Sequence, residues 1–306
     1  MALSALLHSV SYSGSWGQAF LSVEDFADKA AGLGYDGVLL MAKRPHVSLL
    51  DYGGKERAAL RSHLERYGFR RIALAGYNNF TADMEHGDVP NREIQVHYVA
   101  ELARLTRDLG GDLLRVFTGY DNPVASYPAQ WKAVVDCLRE CAQRTAEFGV
   151  TIGVQNHHDI ACGYDTQHDL IRAVAEPNCL ALFDAWAPAL HGAGIEEAAR
   201  KMGPITAHTT IADYQLRPRY KYDPAIVNYN ALTPAVQAVP MGEGFIDYKK
   251  FLTALSEAGF TGSVAYEMCS PLIDGGSLET LDRYASRFLE FMEGLRNRRA
   301  EPVATA

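Results

Sequence analysis

The sequence predicts an α/β fold, a single (β/α)8 TIM barrel, on three observations. Short apolar runs alternate with longer amphipathic segments eight times along the 306 residues. The apolar runs are nearly continuous in Val, Ile, Leu and Ala, as in a parallel sheet covered by helices. Glycines stand where the helices must end. Eight units favour closure into a barrel, and the rival open sheet is weakened because no GxGxxG follows the first run.

The eight units can be followed in order along the chain. Predicted strands cover residues 5–10, 36–41, 71–77, 112–118, 150–157, 179–186, 204–211 and 262–268. Predicted helices begin at Ser22 and then cover residues 55–67, 91–109, 128–148, 166–174, 195–202, 248–259 and 277–295. Residues 212–244 form a long stretch without regular periodicity, and we expect it to be irregular. We predict one barrel domain over residues 1–296 and a tail over residues 297–306.

Composition and charge exclude several classes of function. Hydrophobic residues make up 48% of the chain and charged residues 22%, the balance of a globular protein with a large core. The net charge of −8 argues against a nucleic-acid partner, which needs a basic face. Five scattered cysteines form neither a disulfide framework nor a zinc-finger spacing, so we expect reduced thiols and a cytoplasmic location. No signal peptide and no membrane-spanning run is visible, so no membrane association is expected.

Function in this architecture collects where the strands end, at their carboxyl termini. Asp184, His208 and Glu267 each interrupt an apolar run on a different late strand. Two carboxylates and an imidazole suit a divalent ion such as Mn, Mg, Co or Zn, and Gln155 could supply a fourth oxygen. A polar residue at a strand end is often only a hydrogen-bonding partner, but four on successive strands favour a shared site.

These motifs together resemble the xylose isomerase-like barrel superfamily, the group that includes tagatose and psicose 3-epimerases, inosose dehydratases and endonuclease IV. The resemblance spans residues 5–295 and rests on GVQNHHD, LFDAWAP, TAHTTIADY, AYEMCSP and the Gly-rich segment VPMGEGFIDYKKFLTAL. It implies one bound divalent metal ion, with Mn preferred. It also implies a sugar or keto-sugar substrate, and it makes Glu267 both a ligand and a catalytic base.

The chain departs from the family pattern at several positions. Gln155 stands where the family has Glu, and glutamine carries no proton at ordinary pH. The resemblance therefore leaves only Glu267 of an acid/base pair of glutamates, and His157 is the candidate replacement base. The epimerase-type histidine after the sixth strand is Ala187 here. Asp213 comes five residues after His208, where many relatives have Lys-Asp immediately.

The remaining polar and aromatic residues near the predicted mouth are candidate substrate contacts. These are His8, Arg115, His158, Trp186, Arg217 and Arg219. The two arginines of the last pair lie in a segment rich in Arg, Lys and Tyr, residues 214–230. That segment is either a solvated loop or a lid that binds an anionic or aromatic part of the substrate.

We therefore expect a metal-dependent isomerase or epimerase that abstracts a proton next to a carbonyl group. A lyase of the same group, either an inosose-type dehydratase or a deglycosidase of 3-keto-glycosides or C-glycosides, is the first alternative. A non-catalytic auxiliary subunit is the second, because the base on the fifth strand is absent. Assembly into a homo-oligomer or a hetero-oligomer is left open.

Overall fold

A computed structural model describes residues 3–300 of the chain, and its architecture is a closed barrel of eight parallel strands. Within the described residues the chain has ten strands, of which β8 and β9 lie outside the barrel: β1 Ser4–His8, β2 Gly37–Met41, β3 Arg71–Ala75, β4 Leu113–Val116, β5 Thr151–Gln155, β6 Cys179–Leu182, β7 Thr206–Ile211, β8 Asp213–Asp223, β9 Asn228–Val239 and β10 Ser263–Tyr266. Strands β1 to β7 pair in sequence order, and β10 closes the ring between β7 and β1. The predicted (β/α)8 fold is confirmed.

The helices follow the strands as the amphipathic segments predict. They are α1 Val23–Leu33, α2 Gly54–Glu65, α3 Asn91–Asp108, α4 Tyr127–Thr145, α5 Tyr164–Val174, α6 Trp186–Leu190, α7 Ile195–Met202, α8 Tyr248–Glu257 and α9 Leu278–Ala300. At the start of α1, the Ser22 hydroxyl accepts a hydrogen bond from the Asp25 amide at 3.1 Å. At its end, Gly34 adopts φ 94°, a left-handed conformation that glycine tolerates without strain.

Two hydrophobic layers hold the barrel together. The larger layer lies between the outer face of the sheet and the helices. A small inner cluster fills the barrel itself and consists of Leu6, Leu39, Ala73, Ala75, Leu113 and Ala265. Because this filling closes the lower part of the barrel, polar side chains gather above it, at the carboxyl ends of the strands.

The stretch after β7 is not irregular, and our expectation for residues 212–244 was wrong. Strands β8 and β9 form an antiparallel hairpin outside the barrel sheet, with a register shift between Arg217 and Arg219. Pro218 and Pro234 lie within the two strands and make the sequence look unlike a strand. A two-stranded ribbon leaves one edge of each strand unpaired, where proline costs no ladder hydrogen bond.

Some boundaries differ from the sequence prediction. Strand β6 ends at Leu182 and the short helix α6 begins at Trp186, so Asp184 lies in the turn between them. Helix α9 continues to Ala300 and takes in residues 297–300 of the predicted tail. Residues 301–306 lie outside the described residues. Within residues 3–300, no helix combines the length and the apolar character needed to cross a bilayer.

The base of the hairpin is tied to the Gly-rich segment that follows it. The Asp213 carboxylate accepts hydrogen bonds from the amides of Gly242 at 2.8 Å and Gly244 at 2.9 Å. The chain passes so close here that a Cβ on Gly244 would overlap the Asp213 carboxylate and lie 2.6 Å from the carbonyl oxygen of Tyr214. Gly244 therefore serves a close approach of backbone to carboxylate, whereas Gly242 adopts φ 94°, a left-handed conformation that favours glycine.

We expect Gly244→Ala to destabilise the protein by about 1–3 kcal/mol, because the added methyl group forces the loop away from Asp213. The matched control is Gly294→Ala, at an exposed position of α9 where a Cβ meets nothing. That change should stabilise the protein by up to about 1 kcal/mol, the helix propensity difference. Denaturant unfolding of both variants measures the two signs. Equal effects would contradict the close packing at Gly244.

Candidate active site

A cavity of about 240 Å³ opens among the carboxyl ends of β5, β6, β7 and β10. Its polar lining comes from Gln155, His157, Asp184, Thr210 and Glu267. Its apolar wall comes from Trp186, Ile211, Ala212, Tyr214, Val236, Tyr248 and Cys269. One polar end and one aromatic wall suit a small polyhydroxylated molecule that has both hydroxyl groups and an apolar ring face.

Gln155 is the centre of the polar contacts. Its Oε1 accepts a hydrogen bond from Arg115 Nη1 at 2.8 Å, and its Nε2 donates to Asp184 Oδ2 at 2.8 Å. An arginine only donates and an ionised carboxylate only accepts, so the two neighbours dictate the orientation of the amide. The amide nitrogen, not the oxygen, therefore faces Asp184. The same Nε2 also lies 3.2 Å from Thr210 Oγ1.

Glu267 lies just beyond β10, with 13% of its side chain exposed to the cavity. Its Oε1 lies 3.3 Å from His8 Nε2 and 4.0 Å from Arg115 Nη1. Burial alone would raise the pKa of this carboxyl, but His8, Arg115 and the Thr210 hydroxyl outweigh it, so the pKa is lowered. His8 Nδ1 accepts from the Val10 amide at 3.1 Å, which leaves the ring proton on Nε2, facing Glu267.

Asp184 has the opposite electrostatic environment. Burial raises its pKa to about 6, while the hydrogen bonds from Gln155 and from the Trp186 amide oppose that rise. The side chain of Asn156 holds the backbone of Asp184 through two hydrogen bonds. Its Oδ1 accepts from the Asp184 amide at 2.9 Å, and its Nδ2 donates to the Asp184 carbonyl at 3.1 Å. The cavity thus contains two carboxylates with different proton affinities.

His208 does not reach the cavity. It pairs in register with Ser263, at the start of β10, and its Nδ1 lies 2.7 Å from Ser263 Oγ. Glu267 lies four residues after Ser263, just beyond the end of β10. The β7 residue that reaches Gln155 is Thr210, two positions after His208 on the same face of the strand.

The predicted metal ligands therefore do not fit around one ion. Gln155, Asp184 and Glu267 share the cavity, but the oxygen of the amide is taken by Arg115, and His208 lies deeper in the barrel. Over residues 3–300, no three side chains of His, Cys, Asp or Glu come together so that they could hold a metal ion. Ligand atoms must all lie about 2.0–2.6 Å from the ion, and these donors do not converge in that way.

The other predicted site residues divide into two groups. His157 and Trp186 line the cavity, whereas His158 packs on Phe117 and Tyr120 at ring distances of 4.2 and 4.1 Å. His8 and Arg115 contact Glu267 from inside the barrel, as described above.

Arg217 and Arg219 lie on the hairpin, away from the cavity lining. The Arg217 guanidinium donates to Gln237 Oε1 at 2.9 Å, across the ladder. The part of the hairpin that does border the cavity is its base, through Tyr214 and Val236.

Comparison with known proteins identifies the family. The family of xylose isomerase-like TIM barrels matches residues 27–291. The chain belongs to this family. It is 24% identical over 250 residues to the rhizopine catabolism protein MocC of Rhizobium meliloti, an alignment that covers 76% of this chain and 70% of that protein.

Solved structures of other family barrels share the fold. D-psicose 3-epimerase from Clostridium cellulolyticum H10, solved with D-tagatose, superposes with a TM-score of 0.73 at 16% identity, over 96% of this chain and 99% of that one. An L-ribulose 3-epimerase gives 0.71 at 15% identity, over the full length of both chains. A probable 3-DHS dehydratase, AsbF of Bacillus anthracis, gives 0.70 at 16% identity, over 97% and 100%. Such low identities show the fold alone.

Sequence reasoning missed three residues of this family member's site. Thr210, Asn156 and Tyr214 line the cavity or hold residues that do. The Tyr214 hydroxyl donates to the Glu267 carbonyl at 3.2 Å and accepts from the Cys269 amide at 3.1 Å. The spacing to Asp213 was a sequence signal for Thr210. Asp213 follows Thr210 by three residues but follows His208 by five, and many relatives have the aspartate close after their β7 site residue. The hairpin that places Tyr214 has no comparable sequence signature.

We expect Asn156→Ala to lose about 1–3 kcal/mol of stability and to release the turn that carries Asp184 and Trp186, because two buried hydrogen bonds disappear. Unfolding by denaturant and the emission of Trp186, read in a background where Trp16 and Trp131 are phenylalanine, measure both effects.

The matched control for that change is Asn78→Ala. Asn78 makes the same pair of bonds to the Phe117 backbone, at 2.7 and 2.9 Å, beyond the ends of β3 and β4. It should lose similar stability and leave the Trp186 emission unchanged. A shift of that emission in both variants, or in neither, would contradict the local role of Asn156.

Proposed function

We propose that the chain is an enzyme that abstracts a proton next to a carbonyl group of a sugar or keto-sugar, as an isomerase or epimerase, with Glu267 as the base. The observation that carries the proposal is the pair Glu267 and Asp184, two carboxylates lining one small cavity at the carboxyl ends of the barrel strands. Membership of the xylose isomerase-like family and the epimerase folds among its structural neighbours support the substrate class.

The two carboxylates suit different steps. The lowered pKa keeps Glu267 ionised at neutral pH, so its carboxylate is free to accept a proton, and the same shift makes it a weaker base than an ordinary glutamate. The raised pKa of Asp184 keeps part of its population protonated near neutrality, so it can return a proton. Neighbouring groups whose environments separate their pKa values are the usual arrangement of an acid/base pair.

His157 is a second candidate for the proton return. It lines the cavity, and its Nδ1 accepts a hydrogen bond from the His158 amide at 2.7 Å. That bond places the ring proton on Nε2, so the neutral ring is a donor at that atom. Trp186, which packs on Tyr214 at a ring distance of 4.8 Å, supplies an aromatic wall for the apolar face of the substrate.

The proposal contains no step through a metal ion, because the donor set does not fit one. The positive charge that stabilises an enediolate must then come from the chain itself. His8 and Arg115 are the positive or hydrogen-donating groups closest to Glu267.

A lyase is the second candidate function, and Gln155 is the observation that favours it. An epimerase needs a proton donor on the opposite face of the carbon, and an amide at that position has no proton acidic enough to be transferred to carbon at ordinary pH. Loss of a β-hydroxyl or a β-glycosidic group after the same proton abstraction needs only one base and an acid at the leaving group. A dehydratase with the same fold is consistent with this route.

Proton exchange in heavy water tests the reaction class without knowledge of the final product. Fructose, allulose, tagatose, ribulose and inosose are incubated with the protein, and deuterium entry at the carbon next to the carbonyl is followed by proton NMR. We expect exchange with at least one of them and a loss of at least about a hundredfold in Glu267→Gln, because an amide cannot act as the base.

The control is Arg217→Ala, which should exchange as the wild type does because Arg217 lies on the hairpin. Exchange together with the formation of an isomeric sugar supports the epimerase. Exchange together with the loss of water or of an aglycone supports the lyase. Full activity in Glu267→Gln would remove that residue from the base role. No exchange with the whole panel would favour an auxiliary, non-catalytic subunit.

Gln155→Glu separates a working site from a decayed one. In a working site the new carboxylate loses the hydrogen bond to Asp184 and repels it, so exchange should fall about tenfold or more. In a decayed epimerase the same change restores the missing acid/base partner, and epimerisation should rise. Gln155→Met is the control, because it removes the bond to Asp184 without adding charge.

A further inference from the structure

We infer that the guanidinium of Arg115 is the resident cation of this site and that the chain works without a bound metal ion. This inference concerns what the site binds and not which reaction it performs. Its test needs no substrate, so its failure and the failure of the proposed function are distinguishable. Arg115 acts through Gln155 and Glu267, and it is therefore a positioning residue.

Arg115 is a charged group deep in the barrel. It is 1% exposed, and its guanidinium carbon lies 4.0 Å from the ring centre of Phe117 and 4.9 Å from that of Tyr77. Nη1 makes the bond to Gln155 and lies 4.0 Å from Glu267 Oε1. A buried charge is costly without compensation. The two aromatic faces and the two oxygens offset part of that cost, while Nε and Nη2 of Arg115 have no hydrogen-bond partner within residues 3–300.

The guanidinium occupies the electrostatic role of an ion. It neutralises Glu267 and orients the oxygen of Gln155, two groups of the predicted ligand set. A divalent ion bound between the same groups would lie next to the positive charge of the Arg115 guanidinium. In a poorly solvated site the repulsion between the two cations would oppose binding of the ion. Asp184 is the one carboxylate of the predicted ligand set that Arg115 does not contact directly. It already accepts a hydrogen bond from Gln155.

Two positions remove the ligands that an ion would need. At the end of β5 the group facing Asp184 is an amide nitrogen, which has no lone pair to donate. At the end of β7 the residue at the cavity is Thr210. Its neutral hydroxyl is a much weaker metal ligand than an imidazole would be. The imidazole of His208 is two residues lower and bonded to Ser263.

The test begins with the purified wild-type protein. Its metal content after dialysis without chelator is measured by plasma mass spectrometry, and its melting temperature is recorded with EDTA, Mn²⁺, Zn²⁺ and Mg²⁺. We expect far less than one metal ion per chain and no change of melting temperature with EDTA or Mn²⁺. One tightly held ion per chain, whose removal by EDTA lowers the melting temperature, would overturn the inference.

Arg115 variants then test the role of the guanidinium itself. Arg115→Met should melt at a lower temperature than the wild type, and Mn²⁺ should restore part of the loss, because Glu267 and Asp184 are left without a cation. Arg115→Lys keeps the charge, so Mn²⁺ should leave its melting temperature unchanged. A purely structural role would give two destabilised variants that ignore Mn²⁺, and that result overturns the inference.

Thr210→His in the Arg115→Met background adds an imidazole at the β7 position and should tighten Mn²⁺ binding at least tenfold in calorimetric titration. Thr210→Val in the same background is the control and should bind no tighter than Arg115→Met alone. A folded histidine variant without that gain contradicts the assignment of Thr210. If these variants do not fold, the metal content and EDTA response of the wild type still decide the inference.

Discussion

The hydrogen bond between Arg115 and Gln155 is the interaction on which the rest of the site depends. It places a positive charge among the carboxyl ends of the strands, and it fixes which end of the Gln155 amide faces Asp184. The orientation of the amide decides whether the neighbouring carboxylate receives a hydrogen bond or a repulsive oxygen. His8 and this guanidinium together lower the pKa of Glu267. The buried charge thus orients Gln155 and helps to keep Glu267 ionised.

The surrounding chain holds these groups in place mainly through side chains that bond to backbone. Asn156 bridges the end of β5 to the turn of Asp184, and Asn78 bridges the end of β3 to Phe117 in the same way. Asp213 anchors the Gly-rich segment behind the hairpin. Such contacts position loops without regular structure, because each one satisfies backbone groups that would otherwise lack partners near the mouth of the barrel.

The family fold allows the residues of its site to vary. In a (β/α)8 barrel, stability comes from the packed strands and helices, whereas the residues at the strand ends are free to vary. The xylose isomerase-like barrels named above share the whole architecture with this chain at 15–16% identity. In this chain, Arg115, Gln155 and Thr210 at three strand ends set the charge and the hydrogen-bonding capacity of the site, on a fold that it shares with those structures.

The sequence by itself determined the architecture, because the periodicity of apolar residues along a strand or helix is local and reports directly on which face is buried. It also placed Gln155, Asp184 and Glu267 at the strand ends, and these three residues line one cavity. The hairpin could not be predicted from the sequence. The ladder between β8 and β9 depends on pairing across the turn, and its unpaired strand edges tolerate Pro218 and Pro234.

Only the tertiary structure decided how far each side chain lies along the barrel. A two-residue displacement on β7 keeps a residue on the same face of the strand, so the pattern of inward residues could not distinguish His208 from Thr210. The register with β10 makes that distinction, because it places His208 beside Ser263 and leaves Thr210 beside Gln155. Likewise, Arg115 is one polar residue in an apolar run until the curvature of the sheet brings it to Glu267, and that contact joins residues 152 positions apart in the chain.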